Sequence, residues 1–263
     1  MNITVTLREK FLEDGCLKIP GALSEDCLNR AEAAWQWSME NPGPAAARLL
    51  TDDILRVSGE GAARALDVAE SGFFYQDIGH PQALPVYQDV ICHPDIVAIL
   101  KAVLDADIST EAWFLGEQIF LKEANSPPTG WHQDRADISA AGDDMIVLWI
   151  SFDEVPEAGG LEVAAGSHAG KTYSSIYGEY RSEDIPLVTE KTHDVRRFDS
   201  QRGDVVVFHM GALHGGGATQ NFARRTLALR FIGPDCYFQS RATDDDPRNG
   251  SPYRPGGLQV LPI

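Results

Sequence analysis

Two textures divide the chain. Up to about residue 107 the apolar positions recur at helical spacing or thin out. In "SEDCLNRAEAAWQWSME" (24–40), Leu28, Ala31, Trp35 and Met39 fall on one helical face behind Ser24, a candidate N-cap followed by acidic residues. Residues 3–40 therefore predict helix around a short break, and "HPDIVAILKAVLD" (93–105) predicts another amphipathic helix. The stretch 41–85 is rich in Gly, Pro and short polar runs, with one helix expected near "GAARALDVAE" (61–70). Beyond Asp107 the apolar runs become short and rich in Val, Ile, Leu, Phe and Trp. "AWFLGEQIFLKE" (112–123), "MIVLWISFDEV" (145–155), "GLEVAAG" (160–166), "DVRRF" (194–198), "DVVVFHM" (204–210) and "RTLALRFIG" (225–233) predict strands, punctuated by turns such as "PEAGG" and "SQRGD". No parallel βαβ alternation is visible. The expectation is one domain, mainly β: helices over 1–107 packed on an antiparallel sandwich or barrel over 108–235, with an irregular tail over 236–263.

Composition changes this picture little. At 263 residues the chain can bury a sizeable core, and 43% hydrophobic with 23% charged residues is ordinary globular material. No apolar run reaches the roughly 20 residues of a membrane span. The N-terminus shows no basic segment leading into an apolar one, so a cytoplasmic protein is expected. A formal net charge of −17 disfavours nucleic acid and anionic membranes as partners. Cys16, Cys27, Cys92 and Cys236 form no C-x-x-C pair and read as buried or half-buried thiols.

The chemistry concentrates in two places. "WHQDRAD" (131–137) places His132 and Asp134 two residues apart, so on an extended strand both point to one side and Gln133 turns away. Some 80 residues on, "RGDVVVFHMGALHGGGATQNFARRTLALRF" carries His214 behind an apolar strand, followed by three glycines that permit close backbone approach. Two imidazoles and one carboxylate on one face of a metal leave three coordination positions open, the pattern of non-haem Fe(II) oxygenases. Arg224 and Arg225 open the next strand, and either guanidinium suits a carboxylate clamp. Their side chains leave opposite faces of the strand, so only one can serve. His209, inside an apolar strand, reads as a satisfied core residue. His168 reads as structural or substrate-side, and His80, His93 and His193 as loop or helix-end residues. Asp137 lies too far from His132 to share its strand face.

Taken in order, H-Q-D, "LWISFDEV", "GGLEVAAGSH", "GDVVVFH…LHGGG" and a basic residue 11 positions after the last His resemble the phytanoyl-CoA dioxygenase family across roughly residues 113–233. Ala165 stands where the family usually has proline. The resemblance implies a double-stranded β-helix (jelly-roll, cupin-like) core. It also implies an oxygenase that uses Fe(II), 2-oxoglutarate and O2 to hydroxylate a C–H bond and releases succinate and CO2. It assigns His132, Asp134 and His214 as metal ligands and catalytic residues. Arg225 becomes the clamp on the far carboxylate of 2-oxoglutarate, Trp149 a wall of the cosubstrate pocket, and Gln118 a further polar contact. An intact Asp134 argues against halogenation.

The substrate is expected to be a small molecule: a free acid, an amino-acid derivative or a secondary metabolite. Arg135 is a candidate anchor for an acidic group. "GFFYQD" (72–77) offers aromatic walls, and the loop 169–186 offers Tyr173, Tyr177, Tyr180 and Arg181. Two other readings keep some of these residues: a cupin-like metalloenzyme without 2-oxoglutarate, which gives Arg225 no role, and a non-catalytic β-barrel binding protein.

Overall fold

The structure is a computed structural model, and it describes residues 6–48, 74–104, 111–174, 183–254 and 259–261. Helix α1 (Leu7–Asp14) opens on a capping box. The Thr6 hydroxyl accepts the Glu9 N–H, and the Glu9 carboxylate accepts the Thr6 N–H. It closes on Gly15 at φ 69°, where a side chain would collide with the His168 ring. Helix α2 (Glu25–Glu40) starts at Ser24, as its sequence predicts, and buries Leu28, Ala31 and Trp35. Helices α3 (Ala83–Ile91) and α4 (Pro94–Leu104) complete the layer. No single described helix is long and apolar enough to cross a membrane.

The strands form a larger and a smaller antiparallel sheet. The larger runs β1 (Cys16–Ile19), β10 (Val205–His209), β7 (Met145–Ser151), β12 (Arg224–Ile232), β4 (Ala112–Lys122), β3 (Phe74–Ile78), β2 (Ala47–Arg48), with β14 (Gln259–Leu261) also on β4. The smaller runs β5 (Thr129–His132), β11 (His214–Gly216), β8 (Leu161–Ala164), β9 (Val195–Phe198), and β13 (Tyr237–Phe238) pairs with β6 (Ala140–Ala141). The six strands expected from the pattern of apolar runs are present within a residue or a few at each end.

The continuous apolar runs have a physical cause: the central strands are buried on both faces. Ile146, Leu148 and Ile150 of β7, Val205 and Val207 of β10, and Leu227, Leu229 and Phe231 of β12 pack with the helices. The alternate residues Val147 and Trp149, Val206 and Phe208, and Ala228 and Ile232 pack on the other side, with Leu161 and Val163 of the smaller sheet. This is the double-stranded β-helix core, with the helices stacked on the outer face of one sheet.

Several expectations need correction. The break in the N-terminal helices is filled by β1, which pairs with β10 from Cys16 opposite Phe208 to Ile19 opposite Val205. Residues 74–91 hold a strand and a helix that the pattern did not announce, and the helix expected near 61–70 lies outside the described residues. The tail is not wholly irregular, because β13 and β14 rejoin the sheets. Cys16, Cys27 and Cys236 are buried, but Cys92 is exposed.

The N-terminus is tied to the sheet by charge. Arg8 Nη1 of α1 lies 2.6 Å from Asp144 Oδ1, beside the Asp235 carboxyl. Burial, and then the adjacent Asp235, push the Asp144 pKa up to about 6, against the pull of Arg8. The folded state therefore holds this proton more tightly than the unfolded chain does, whose Asp titrates near about 4. The contribution is complete below that pH and is lost as pH rises through about 6. Asp144→Asn should flatten this part of the stability profile, which thermal melts between roughly pH 4 and 7 would measure. An unchanged profile would remove Asp144 as its source.

Candidate active site

Strand pairing assembles the site. Antiparallel β5 and β11 place His132 directly opposite His214, and the ring centroids stand 4.1 Å apart. Beyond His132 the chain turns into a short 3-10 segment, Asp134–Asp137, which swings the Asp134 carboxylate back over the two rings. Asp134 Oδ1 lies 3.8 Å from His132 Nε2 and 3.7 Å from His214 Nε2. One ligand atom from each of the three residues falls within 4.8 Å of the others. Gln133 turns away as expected, and its amide holds the loop by donating to Gly211 O at 2.6 Å and Lys171 O at 3.0 Å.

The donor chemistry fits a divalent metal. His132 Nδ1–H donates to Gly130 O at 2.8 Å and His214 Nδ1–H to Ala212 O at 3.0 Å. Each bond fixes the tautomer that leaves Nε2 with its lone pair toward Asp134. Burial, and then the neighbouring His132, push His214 down to about 3, so it stays neutral. Burial alone would raise Asp134, but the Arg230 charge and the facing imidazoles bring it down to about 2. A neutral His214 and an ionised Asp134 are protonation states that a metal requires of its ligands.

The glycines after His214 serve close packing. A Cβ at Gly215 would lie 2.7 Å from Thr129 O, and one at Gly217 would lie 2.0 Å from Ala158 O. Without them β11 could not sit between its neighbours with His214 in register.

A cavity of about 470 Å³ extends from the triad between the sheets. Trp149 and Gln118 line it, together with Phe208, Leu115 and Phe120. Arg224 lines it as well, and Arg225 does not. Arg225, expected at the pocket, therefore points away from the cavity, and its neighbour Arg224 points into it. Arg225 shares its strand face with Leu227, Leu229 and Phe231 and so points to the helices. There its Nη1 lies 2.5 Å from Glu32 of α2, and its Nη2 lies 2.7 Å from Asp153. Arg224 is 4% exposed and lies over the Trp149 ring, its carbon 5.6 Å from the centroid. Its Nη1 donates to Gly159 O, its Nε has no partner, and among the described residues no carboxylate pairs with it. Burial pushes it down to about 10. A buried cation without a counter-ion, facing a cavity, is built for an anionic ligand.

Other candidates fall elsewhere. Arg135 does not line the cavity, and its guanidinium donates to His168 O and Gly170 O, both at 3.1 Å. His168 Nε2 lies 3.0 Å from Leu12 O, and its ring is tilted against that of His209. His209 is a satisfied core residue, with Nε2–H on Gly142 O and Nδ1 accepting the Gly211 N–H. Asp137 is exposed at the cavity rim. From "GFFYQD", Gln76 reaches the cavity, Phe74 stacks on Phe120, and residues 72–73 lie outside the described residues. Tyr173 packs against the small cluster of Ala164, Val188 and Leu213 and does not line the cavity, while Tyr177, Tyr180 and Arg181 lie outside the described residues. The sequence reading missed Arg230. On the Arg224 face of β12, it donates through Nε to Asp134 Oδ2 at 2.9 Å and through Nη2 to Gln118 Oε1 at 2.5 Å.

Comparison with known proteins agrees with this geometry. The family profile described as phytanoyl-CoA dioxygenase (PhyH) matches residues 11–226. A protein of Stutzerimonas stutzeri, named as a probable alpha-ketoglutarate-dependent hypophosphite dioxygenase, is 32% identical over 132 residues, 44% of this chain and 46% of that protein. Among solved structures, the epimerase SnoN in complex with Fe3+, alpha-ketoglutarate and nogalamycin RO superimposes with a TM-score of 0.69 at 16% identity, covering 97% of both chains. The alpha-ketoglutarate-dependent carbocyclase SnoK from nogalamycin biosynthesis gives 0.63 at 19% identity, covering 97% of this chain and 94% of the other.

Replacing His132, Asp134 or His214 by Ala should each abolish tight Fe(II) binding while the fold persists. Each removes one of three protein ligands, a larger loss than the roughly 10- to 100-fold that deleting an outer hydrogen bond to a ligand costs. Metal titration beside far-ultraviolet circular dichroism would check this, and full affinity in any variant would remove that residue from the ligand set.

Proposed function

The chain belongs to the phytanoyl-CoA dioxygenase family, and on that premise we propose that it is an Fe(II)- and 2-oxoglutarate-dependent oxygenase acting on a C–H bond of a small molecule. The observation that carries the reading is the pairing of two features in one cavity. A two-His, one-Asp cluster stands at one place on its wall, and the buried, carboxylate-free Arg224 stands at another. A five-carbon diacid that chelates a metal at one end needs both. His132, Asp134 and His214 would hold Fe(II), and Arg224 would hold the far carboxylate. The bound iron and cosubstrate supply the oxidation of the substrate C–H bond by O2, with release of succinate and CO2.

The chain's own residues orient and exclude. Trp149 flanks the Arg224 guanidinium and limits its movement. Phe208 packs against the His214 ring at 4.5 Å and keeps water from that side. Hydroxylation is the simplest outcome of such a site and is the one proposed here. The relatives are named for chemistry as different as hypophosphite oxidation and nogalamycin biosynthesis, so they do not fix the substrate. The cavity volume of about 470 Å³ is larger than cosubstrate alone requires. Its apolar wall from Leu115, Ile138 and Tyr253 supports an organic substrate of modest size: a free acid, an amino-acid derivative or a secondary metabolite. A substrate screen reading succinate above the uncoupled background tests the function. Metal-loaded protein that neither binds nor consumes 2-oxoglutarate would leave the cupin-like reading in its place.

The two adjacent arginines give the sharper test. Arg224→Ala should weaken 2-oxoglutarate by about 10-fold to several hundred-fold, since a charge-assisted contact in a dry pocket is worth roughly 1.5–3 kcal/mol and more when its partner is left unpaired. Arg225→Ala should leave that affinity unchanged within about threefold. Its cost should appear instead as a lower melting temperature, because Asp153 loses its cation and Glu32 keeps only Arg202, an effect of order 1 kcal/mol for a partly exposed network. Anaerobic titration followed by the chelate's charge-transfer absorption reads the first effect, and a thermal melt reads the second. The reverse pattern would return the clamp to Arg225.

A further inference from the structure

Cys27 is fully buried, yet its thiol makes no hydrogen bond among the described residues; only its backbone N–H is engaged, on the Ser24 hydroxyl. It stands in the first turn of α2. His93, just before α4, and Asp95, in the first turn of α4, approach it from the other helix. One ligand atom from each of Cys27, His93 and Asp95 lies within 4.8 Å of the others. Among the described residues this is the second such group, beside the cluster of His132, Asp134 and His214. In a tetrahedral site with ligand bonds of about 2.0–2.3 Å, neighbouring donors stand roughly 3.3–3.8 Å apart, so small side-chain rotations close the group.

The surroundings leave each residue an atom for an ion. Ser24 donates its N–H at 2.8 Å and its hydroxyl at 2.6 Å to Asp95 Oδ2, and Oδ1 has no partner among the described residues. His93 Nε2–H donates to Asp26 Oδ2 at 3.2 Å, and Arg30 Nε holds the same oxygen at 2.9 Å. A histidine bonded to a carboxylate through one ring nitrogen presents the other to a metal. That nitrogen, Nδ1, lies 3.5 Å from Asp95 Oδ2. It accepts the Asp95 N–H at 3.2 Å, at the long end of the normal range, and a coordinated ion would replace that bond.

Charge and donor type select the ion. Burial, and then the nearby Asp95 and Asp26, push the Cys27 thiol up to about 12, so on its own it is no nucleophile. A divalent ion reverses that balance, because a coordinating thiol gives up its proton. Thiolate, carboxylate and divalent ion then sum to zero charge, so the positive ends of α2 and α4 do not oppose the group. Sulfur with imidazole suits zinc, and not the harder magnesium or calcium. The His93 and Asp95 side chains are 12% and 25% exposed, which gives an ion a path in.

We propose that Cys27, His93 and Asp95 form a second metal site, for zinc with water in the fourth position, that clips the start of α2 to the start of α4. It is separate from the cluster of His132, Asp134 and His214 and does not depend on the function proposed above.

Cobalt(II) is the probe, because a cobalt–thiolate bond gives an intense charge-transfer absorption that the sulfur-free cluster cannot give. The full chain, reduced and stripped with chelator, is titrated anaerobically with Co(II) and then with Zn(II). Wild type should develop the band to a limit of one thiolate-bound ion per chain, and zinc should bleach it. Cys27→Ser should lose the band. His93→Gln removes a ligand nearer the surface and covers the case in which the serine variant does not fold; it should shift the cobalt midpoint at least about tenfold weaker. The clip is read by melting Asp134→Ala, whose catalytic cluster is incomplete. With free zinc at about a hundredfold its Kd this variant should melt roughly 5–10 °C higher, and adding Cys27→Ser or His93→Gln should abolish the rise. Wild type that gives no band with cobalt in excess overturns the site. So does a band that survives in Cys27→Ser, which would assign it to another cysteine such as the exposed Cys92. An unchanged melt overturns the clip.

Discussion

A strand buried on both faces must send successive side chains into two different environments, and β12 has the helix layer on one side and the cavity on the other. Leu227, Leu229 and Phe231 fill the first. Arg224, Ala228 and Arg230 line the second. The small residue between the two arginines is as much a requirement as the charges, because a large one at 228 would occupy the space a ligand needs. A shift of one residue in the pairing of β12 with β4 and β7 would send both cations into the helices and the apolar set into the cavity. Nine consecutive partners on β4, interrupted by a single bulge at Arg230/Phe231, oppose such a shift.

The metal cluster depends on the same frame. His214 arrives by strand pairing and Asp134 by a turn, so neither is held by the metal alone. Arg230 joins the two halves, because it rises from the larger sheet and grips the ligand carried by the loop after β5. Burial opposes ionisation of Asp134, and the adjacent guanidinium reverses that balance. The imidazole tautomers are set by local backbone carbonyls two residues earlier in each case. Ligand geometry and protonation are thus fixed by the chain before any ion enters.

Much of this was legible in the sequence, and the reasons for the rest are physical. Strands such as 145–151 and 205–209 announce themselves because two-sided burial makes them uniformly apolar. The H-x-D pair and His214 were readable because strand geometry places i and i+2 together. β1 and α3 were not, since four residues beside a helix, and a short helix in a Pro-rich stretch, carry too little periodicity. The cavity-facing arginine was expected one position late because spacing from His214 was weighed above strand phase. The phase was present in "RRTLALRF": its large apolar residues fall at 227, 229 and 231, and its small or polar ones at 224, 226, 228 and 230. The face with Thr, Ala and Arg in a strand otherwise made of Leu and Phe is the face with something other than core against it. Arg230 was missed for the same reason. Asp134 lies 96 positions away in sequence, and nothing local links the two.

The cations also explain why this wall sits within so dense a frame. Arg224 has no carboxylate partner among the described residues, and Lys122, fully buried beside it, is bonded to the carbonyls of Pro127 and Gly217. Burial pushes both below their ordinary pKa values. Groups of this kind destabilise a fold in proportion to their desolvation, and the cost is met by packing elsewhere. Ile146, Val147, Ile150, Leu227 and Leu229 of the same sheet are fully buried. An anion that enters the cavity relieves the uncompensated charge, so ligand binding and folding stability draw on the same interaction.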